Sequence, residues 1–492
     1  MVSLEKAKEL DKEGFNLIPL FKTLFADTET PLSAFIKLRE LGANMLLESV
    51  EGGEKWGRFS IIGLGRLVSV KSKERFVEVN RLGRVEVKEF KENPLEVLRE
   101  VFNEFKPYRL PELPKVWGGF FGYLAYDAVK FFEPRVNVNP NKEDSYLYDM
   151  FFSLPEALVV FDNVKNTINV ITFVLTRKGE LENEYRRGIE KLQSIERALR
   201  EGKLNVETPP VKSSSHWKVN FSDKEFMEAV EKAKEYIKAG DIIQVVLSRR
   251  FEKPFYAEPL TLYRAIRHVN PSPYMYYLDY GDFQIVGASP EVLVRVENGK
   301  IETRPIAGTR RRGRTPEEDL ALEKELLADE KERAEHIMLV DLARNDVGRV
   351  AKVGTVKVNE LMVIERYSHV MHIVSNVMGE LREDKDAFDV LKACFPAGTV
   401  SGAPKVRAME IIDEMEPSER GVYAGAVGYF SFDGNMDTAI AIRTAIVRRN
   451  KVYVQAGAGI VADSLPELEA KETLNKARAL FKAVELAERG LS

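Results

Sequence analysis

Two segments of this chain each set a pair of glutamates one helical turn apart: Glu332-Arg-Ala-Glu335 and Glu469-Ala-Lys-Glu472. Residues three apart share a helix face, so each pair can aim two carboxylates in one direction. The second helix has a start signal in Ser464-Leu-Pro-Glu467 and an apolar stripe in Leu468, Leu474, Ala477 and Leu480, which lets its carboxylates point inward. Either pair alone reads as solvated helix charge, because glutamate at this spacing is common on surfaces. Together, four acids with no cysteine beside them suit a hard cation such as magnesium, which takes oxygen ligands, keeps water and bridges to an anionic substrate. A di-iron centre is the weaker reading: it wants Glu-x-x-His, whereas His336 follows Glu335 and stands four residues from Glu332.

Other segments could meet an anion or move a proton. Phe395-Pro-Ala-Gly-Thr-Val-Ser-Gly-Ala-Pro-Lys405 packs small residues, two hydroxyls and a lysine ahead of a helix through Met409 and Ile412. Exposed N–H groups in such a loop hold anions, although a tight turn explains it equally well and the order of a phosphate-binding P-loop is absent. Arg304-Pro-Ile-Ala-Gly-Thr-Arg-Arg-Arg-Gly-Arg314 is the most basic stretch, and it runs straight into the acidic helix start Thr315-Pro-Glu-Glu318. That favours a solvated loop with one or two substrate-facing groups over a nucleic-acid patch. His369 and His372 stand at a turn-to-strand passage, where a histidine serves as acid or base near neutral pH or simply packs in the core.

These groups must be positioned by a large scaffold. The chain has 492 residues, 44% of them hydrophobic, and a formal charge of −4, enough for a sizeable core and too balanced to attract nucleic acid or a membrane surface. Cys394 is the only cysteine, which excludes an internal disulfide and fits a reducing cytoplasm. Met1–Leu10 is charged at helical spacing, and no stretch approaches the ~20 apolar residues of a membrane span. Glu207-Thr-Pro-Pro-Val-Lys-Ser-Ser-Ser-His216 breaks periodicity, giving an N-terminal region 1–206, a linker 207–220 and a C-terminal region 221–492. Ser222-Asp-Lys-Glu225 predicts a capped helix, followed by a strand from Ile242 to Phe251. Short runs at Phe59–Ile62, Leu67–Val70 and Phe76–Val79 predict one antiparallel sheet, and Val422–Phe432, Thr438–Arg448 and Lys451–Ala456 predict a meander. The class is α+β, with large sheets covered by helices. Gly119-Phe-Phe-Gly-Tyr-Leu-Ala-Tyr-Asp127 echoes Gly425-Ala-Val-Gly-Tyr-Phe-Ser-Phe-Asp433: either glycines stand where a backbone passes close, or both halves give equivalent strands to one body.

Taken in order, Gly287-Ala-Ser-Pro-Glu291, Arg304–Thr309, Asp341-Leu-Ala-Arg-Asn-Asp346, His369–His372, Phe395–Lys405, Ala441-Ile-Arg443 and Gln455–Val461 resemble the chorismate-utilising enzyme family over nearly all of the C-terminal half. The resemblance implies a two-layer antiparallel β-sheet core flanked by helices, with the active site in a cleft. It also implies magnesium held by Glu335 and Glu472 directly and by Glu332 and Glu469 through water, with the metal on the ring carboxylate of chorismate. Arg443, Tyr423, Gly308, Thr309, Lys476 and the backbone of Ala456, Gly457, Ala458 and Gly459 then bind substrate. A dianion and a divalent cation must be neutralised together, which accounts for cationic donors beside four acids.

Within the family, Gln244 resembles the ammonia-using members, where water-using ones carry lysine. Ala307 stands where aminodeoxychorismate-forming enzymes of folate biosynthesis, the alternative reading, carry a nucleophilic lysine. The implied reaction is ammonia attack at C2, loss of the C4 hydroxyl and elimination of pyruvate to leave anthranilate, for tryptophan biosynthesis. Glu291 is the implied acid for the hydroxyl, and His372 with Thr399 assists aromatisation. Leu46-Leu-Glu-Ser49, Gly57-Arg-Phe-Ser60 and Asn270-Pro-Ser-Pro-Tyr-Met275 resemble a tryptophan feedback site formed by Glu48, Ser49, Pro273, Tyr274, Met275 and Tyr429. Cys394 lacks the Gly-x-Cys-x-Gly setting of an amidotransferase nucleophile. Ammonia is therefore expected from a separate glutamine amidotransferase subunit in a heteromeric complex, a heterotetramer, or from free ammonium.

Overall fold

Turn residues divide the chain into short strands, which gather into two 12-stranded sheets. The computed structural model describes residues 1–50, 57–136, 139, 141–176 and 179–491. Every ladder in both sheets is antiparallel. Each sheet has one seam where the two halves of the chain meet. In the first, Ala43–Glu48 pairs with Tyr274–Asp279, bringing Glu48 opposite Met275. In the second, Gly119–Leu124 pairs with Ala426–Ser431, bringing Gly122 opposite Gly428. The echoing segments are therefore neighbours in one composite body. Their glycines are also required by close backbone: a Cβ on Gly122 would lie 1.8 Å from the Phe151 carbonyl oxygen, and one on Gly428 1.9 Å from that of Asp437.

Alternation along the strands decides the layers, since successive side chains leave opposite faces. In Ala157–Asp162, Leu158 and Val160 join the core between the sheets, whereas Val159 and Phe161 join a second core beneath helices. Those helices, Pro31–Leu38, Leu181–Glu201, Pro259–Val269 and Pro466–Arg489, cover the outer face of the first sheet with Phe35, Leu192, Leu262 and Leu480. The result is the expected α+β architecture with a two-layer antiparallel core. Residues 202–217 carry no regular structure, and among the described residues no helix is long and apolar enough to cross a membrane.

Several local expectations are corrected. Phe59–Leu64 lies in the first sheet while Val68–Lys73 and Phe76–Arg81 lie in the second. The C-terminal meander is likewise split: Ala426–Ser431 and Met436–Ile440 belong to the second sheet, Thr444–Arg448 and Lys451–Ile460 to the first. The crossing falls at Ala441–Arg443, where Ala441 N–H donates to Gly425 in one layer and the Arg443 carbonyl accepts from Ala288 in the other. Ser464 does not cap the last helix; its hydroxyl accepts from Val461 N–H, and the helix begins at Pro466, which has no N–H to satisfy. Leu468 is 58% exposed, so the buried stripe of that helix starts only at Ala470.

Candidate active site

The crossings between the layers set the site. Arg443 occupies one of them with a left-handed φ of 52°, and Glu291 occupies another, between Phe283–Ser289 in the first sheet and Val292–Glu297 in the second. Both side chains enter the same cavity, of about 520 Å³. It is also bordered by Gln244, Thr399, His372, Tyr423, Gly308, Thr309, Ala456, Gly457, Gly459 and Lys476. Ala458 is fully buried and does not border it.

Glu332, Glu335, Glu469 and Glu472 complete the border. The first two stand near the start of helix Glu330–Gly348, whose Asp329 cap accepts from the N–H of Lys331 and Glu332. The other two lie on Pro466–Arg489. Burial, reinforced by Glu335, raises the pKa of Glu332, and burial with Glu472 nearby raises that of Glu469. Among the described residues no three His, Cys, Asp or Glu side chains are gathered tightly enough to encircle an ion unaided. The donors are nevertheless all carboxylate oxygens, come from two facing helices, and repel one another.

Cationic groups stand beside the acids: Lys476, one turn on from Glu472 in the same helix, pairs with it at 3.2 Å. Arg443 donates to the Lys476 carbonyl at 3.0 Å, and Lys476 Nζ donates to the Gly457 carbonyl at 3.0 Å. Desolvation lowers the Arg443 pKa, so the site gains by bringing an anion to it. Tyr423 closes the floor: a Cβ on Gly457 would come within 2.7 Å of its hydroxyl.

The ionisable groups expected to move protons are held in definite states. His372 Nδ1 contacts Thr309 Oγ1 at 3.0 Å and the Gly308 carbonyl at 3.3 Å. A carbonyl only accepts, so it selects the Nδ1–H tautomer and leaves Nε2 as the free base; burial lowers the imidazole's pKa. Burial also pushes the Glu291 carboxyl up to about 8, outweighing the donors turned toward it by Ile306 and Thr399. Gln244 Nε2 donates to Glu335 at 3.2 Å, while its Oε1 is buried without a partner. A Cβ on Gly459 would lie 2.3 Å from Gln244 Nε2, so that glycine is what lets the amide lie there.

Other motifs have structural work. Lys405, from the loop read as a possible anion cradle, pairs with buried Asp346 at 2.7 Å. The basic stretch is largely a strand, Ile306–Arg311, with Arg310, Arg311 and Arg312 paired to the acids of the adjoining helices. His369 lies outside the cavity. One feature gave no sequence signal beyond Glu416 and Arg420 standing four apart. Arg420 binds Glu416 with two donors and also donates to the carbonyls of Val400 and Val246, while Glu416 accepts from Ser248, which accepts from Gln455. All are buried, and they tie three cavity walls together from behind.

A separate cavity of about 350 Å³ is bordered by Glu48, Ser49, Pro273, Tyr274, Met275 and Tyr429. Glu48 accepts from the Tyr263 hydroxyl and pairs with Arg267 at 3.3 Å. Tyr274 donates to Asp437 at 3.0 Å, and Arg295 holds the same carboxylate at 2.8 Å. A narrow space bordered by Pro273, Tyr274, Pro290 and Ile306 lies between this cavity and the catalytic one.

Comparison with known proteins gives the family and the fold. The profile of the chorismate binding enzyme family matches residues 46–482. The chain is 56% identical to anthranilate synthase component 1 of Aquifex aeolicus, over 99% of this chain and 98% of that one. Its structure is similar to the crystal structure of anthranilate synthase component I from Streptococcus pneumoniae, with a TM-score of 0.76 at 39% identity, covering 93% and 98% of the two chains. It also shares its fold with the menaquinone-specific isochorismate synthase of Escherichia coli, with a TM-score of 0.72 at 19% identity over 98% of each chain.

Proposed function

The chain belongs to the chorismate-binding enzymes, and on that premise we propose that it converts chorismate and ammonia to anthranilate, pyruvate and water. One observation carries the choice of nucleophile: the unpartnered, buried Oε1 of Gln244, an acceptor for an N–H of ammonia beside the carboxylate end of the cavity. Ala307 borders the same cavity with only a methyl group, so no side chain there forms the covalent adduct that the aminodeoxychorismate reading needs.

The residues divide the reaction between them. Arg443 and Lys476 orient the substrate's carboxylates, Lys476 from beside Glu472. Gln244 holds ammonia for attack at C2, and Glu291, protonated at neutral pH, gives its proton to the departing C4 hydroxyl, which leaves as water. His372 Nε2 then takes the C2 proton as the C–O bond to the enolpyruvyl group breaks, releasing pyruvate and an aromatic ring, with Thr399 nearby. The four mutually repelling carboxylates fit magnesium, with Glu335 and Glu472 as ligands and Glu332 and Glu469 acting through water. Bound there, the ion would polarise the substrate's ring carboxylate. Waters and substrate oxygens would supply the remaining ligands such an ion takes.

The second cavity is assigned to tryptophan as feedback inhibitor. Buried Glu48 faces an amino group, and Tyr274, Met275 and Tyr429 wall an indole. Strand Tyr274–Asp279 forms a hairpin with Phe283–Ser289, which leads directly to Glu291, so occupation of one cavity bears on the acid in the other. Ammonia comes from a glutamine amidotransferase subunit or from free ammonium, and the assembly is placed in the cytoplasm. Ammonium-driven turnover, followed by anthranilate fluorescence, tests these assignments: it should stop on chelation of magnesium and return on its readdition, and saturating tryptophan should suppress it. Turnover indifferent to chelation overturns the metal assignment. If tryptophan changed neither turnover nor melting temperature, the feedback assignment would fall.

A further inference from the structure

Glu291 borders two spaces. Besides the catalytic cavity it lines a second, of about 30 Å³, and Thr399 and Leu339 stand with it in the partition between them. The helix Glu330–Gly348 runs past both. Glu332 and Glu335 border the catalytic cavity, Leu339 borders both, and Leu342, Ala343 and Asp346 border the smaller one, at the intervals of three and four that keep to one helix face. Asp346 therefore stands two turns behind the partition, about 10 Å along the helix axis at about 1.5 Å per residue.

The polar groups on the smaller border differ in what they are free to do. Thr303 donates its hydroxyl to the Leu293 carbonyl at 3.0 Å, and Cys394 keeps its proton, because burial pushes the thiol up to about 12. Asp346 uses one oxygen, Oδ2, to accept from Lys405 at 2.7 Å, whereas its buried Oδ1 has no hydrogen-bond partner among the described residues. A buried carboxylate oxygen in that position takes water where there is room. At about 10–15 Å³ for each, the cavity admits two waters. A carboxyl, two waters and a carboxylate joined by three hydrogen bonds of about 2.8 Å span about 8 Å, which suits the distance from the partition to Asp346. The need for such a line lies with Glu291. It ends each turnover as a carboxylate, a form that burial disfavours, at a time when product fills the catalytic cavity in front of it.

Resting on Glu291 as the acid of the reaction above, we propose that the small cavity holds two waters through which Asp346 and Lys405 return a proton to Glu291 from behind. The Glu291 carboxylate takes a proton from the nearer water, that water takes one from the next, and the next takes one from Asp346. Asp346 passes on the proton it receives from the Lys405 ammonium, whose side chain is 9% exposed and regains its proton from solvent hydronium. Only O–H and N–H bonds change, and the net transfer is one proton from solvent to Glu291. The first turnover needs no return, since Glu291 starts protonated, whereas every later one does. Rapid-quench counting of anthranilate, on the full chain with chorismate, magnesium and ammonium, separates the two. Asp346→Asn keeps the shape of the side chain but relays no proton; Ala343→Val fills the cavity with two methyl groups and leaves both ends of the line intact. In each, the ratio of first-turnover to steady-state rate should rise at least tenfold over wild type, with the KM for chorismate within twofold. Asp346→Asn leaves Lys405 buried and unpaired, so if it fails to fold, Ala343→Val carries the test alone. A ratio within twofold of wild type in Ala343→Val overturns the proposal, and so does an equal slowing of first and later turnovers, which a merely structural role would give. Absence of anthranilate from the wild-type chain, or a first turnover of Glu291→Gln at the wild-type rate, is a different failure, overturning the reading on which the proposal rests.

Discussion

Glu291→Gln should make the protein more stable and nearly inactive. Burial holds the carboxyl's pKa at about 8 against 4.5 in the ordinary state, so the native state retains a proton that the unfolded chain gives up at a lower pH. Stability from this group is complete below 4.5 and is lost as pH rises toward about 8. At pH 7 the chain stands 2.5 units above the unfolded value of 4.5, which at about 1.4 kcal/mol per unit costs about 3 kcal/mol. Glutamine keeps the shape and never ionises, so it recovers that amount. With an unfolding entropy of about 2.1 cal/mol/K per residue over 492 residues, the gain corresponds to a rise in Tm of about 3 °C. At pH 5 it should fall to within error. An amide cannot protonate the C4 hydroxyl, so kcat should drop by about 100-fold or more, and the wild type's own kcat should decline above about pH 8 at saturating ammonia. Differential scanning fluorimetry at pH 5 and 7, with anthranilate fluorescence for kcat, reads both effects. Equal stabilisation at the two pH values, loss of stability at pH 7, or a kcat within tenfold of wild type would refute the reasoning.

Other outcomes follow from the same geometry. His372→Ala should spare chorismate consumption more than pyruvate release, measured by coupled lactate dehydrogenase; equal loss of both would count against its role in aromatisation. Gly459→Ala puts a methyl group 2.3 Å from Gln244 Nε2, so it should raise the KM for ammonia about tenfold or more while changing the KM for chorismate little. Arg420→Met leaves the Glu416 carboxylate buried and unpaired, and should cost about 3–5 kcal/mol in urea unfolding; adding Glu416→Gln should recover part of that loss.

Features borne on single helices were legible in the sequence. A three-residue interval fixes a shared face, so the two glutamate pairs could be expected to act together before any pairing of strands was known. The capping box at Ser222 was likewise local, and it forms as written. What could not be read was which sheet each strand joins. Phe59–Leu64 and Val68–Lys73 look alike in pattern yet lie in different layers, because that choice depends on partners distant in the sequence, such as Ala157–Asp162 for the first and Met150–Leu154 for the second. The layer crossings that carry Glu291 and Arg443 were therefore invisible as crossings, although both residues stood in recognisable motifs. The buried chain from Arg420 through Glu416 and Ser248 to Gln455 was out of reach for the same reason: its members are dispersed along the sequence and each is unremarkable alone. Periodicity gives a face without saying where along the helix burial begins, which is why Leu468, in register with the apolar stripe, is exposed.

The central claim is that one cavity joins ammonia to chorismate and carries the product through to the aromatic amine. The direct measurement is a mass balance by mass spectrometry on the purified chain with chorismate, magnesium and nitrogen-15 ammonium. The account predicts one labelled anthranilate and one pyruvate for each chorismate consumed. A labelled aminodeoxychorismate without pyruvate, or isochorismate without nitrogen, would contradict it.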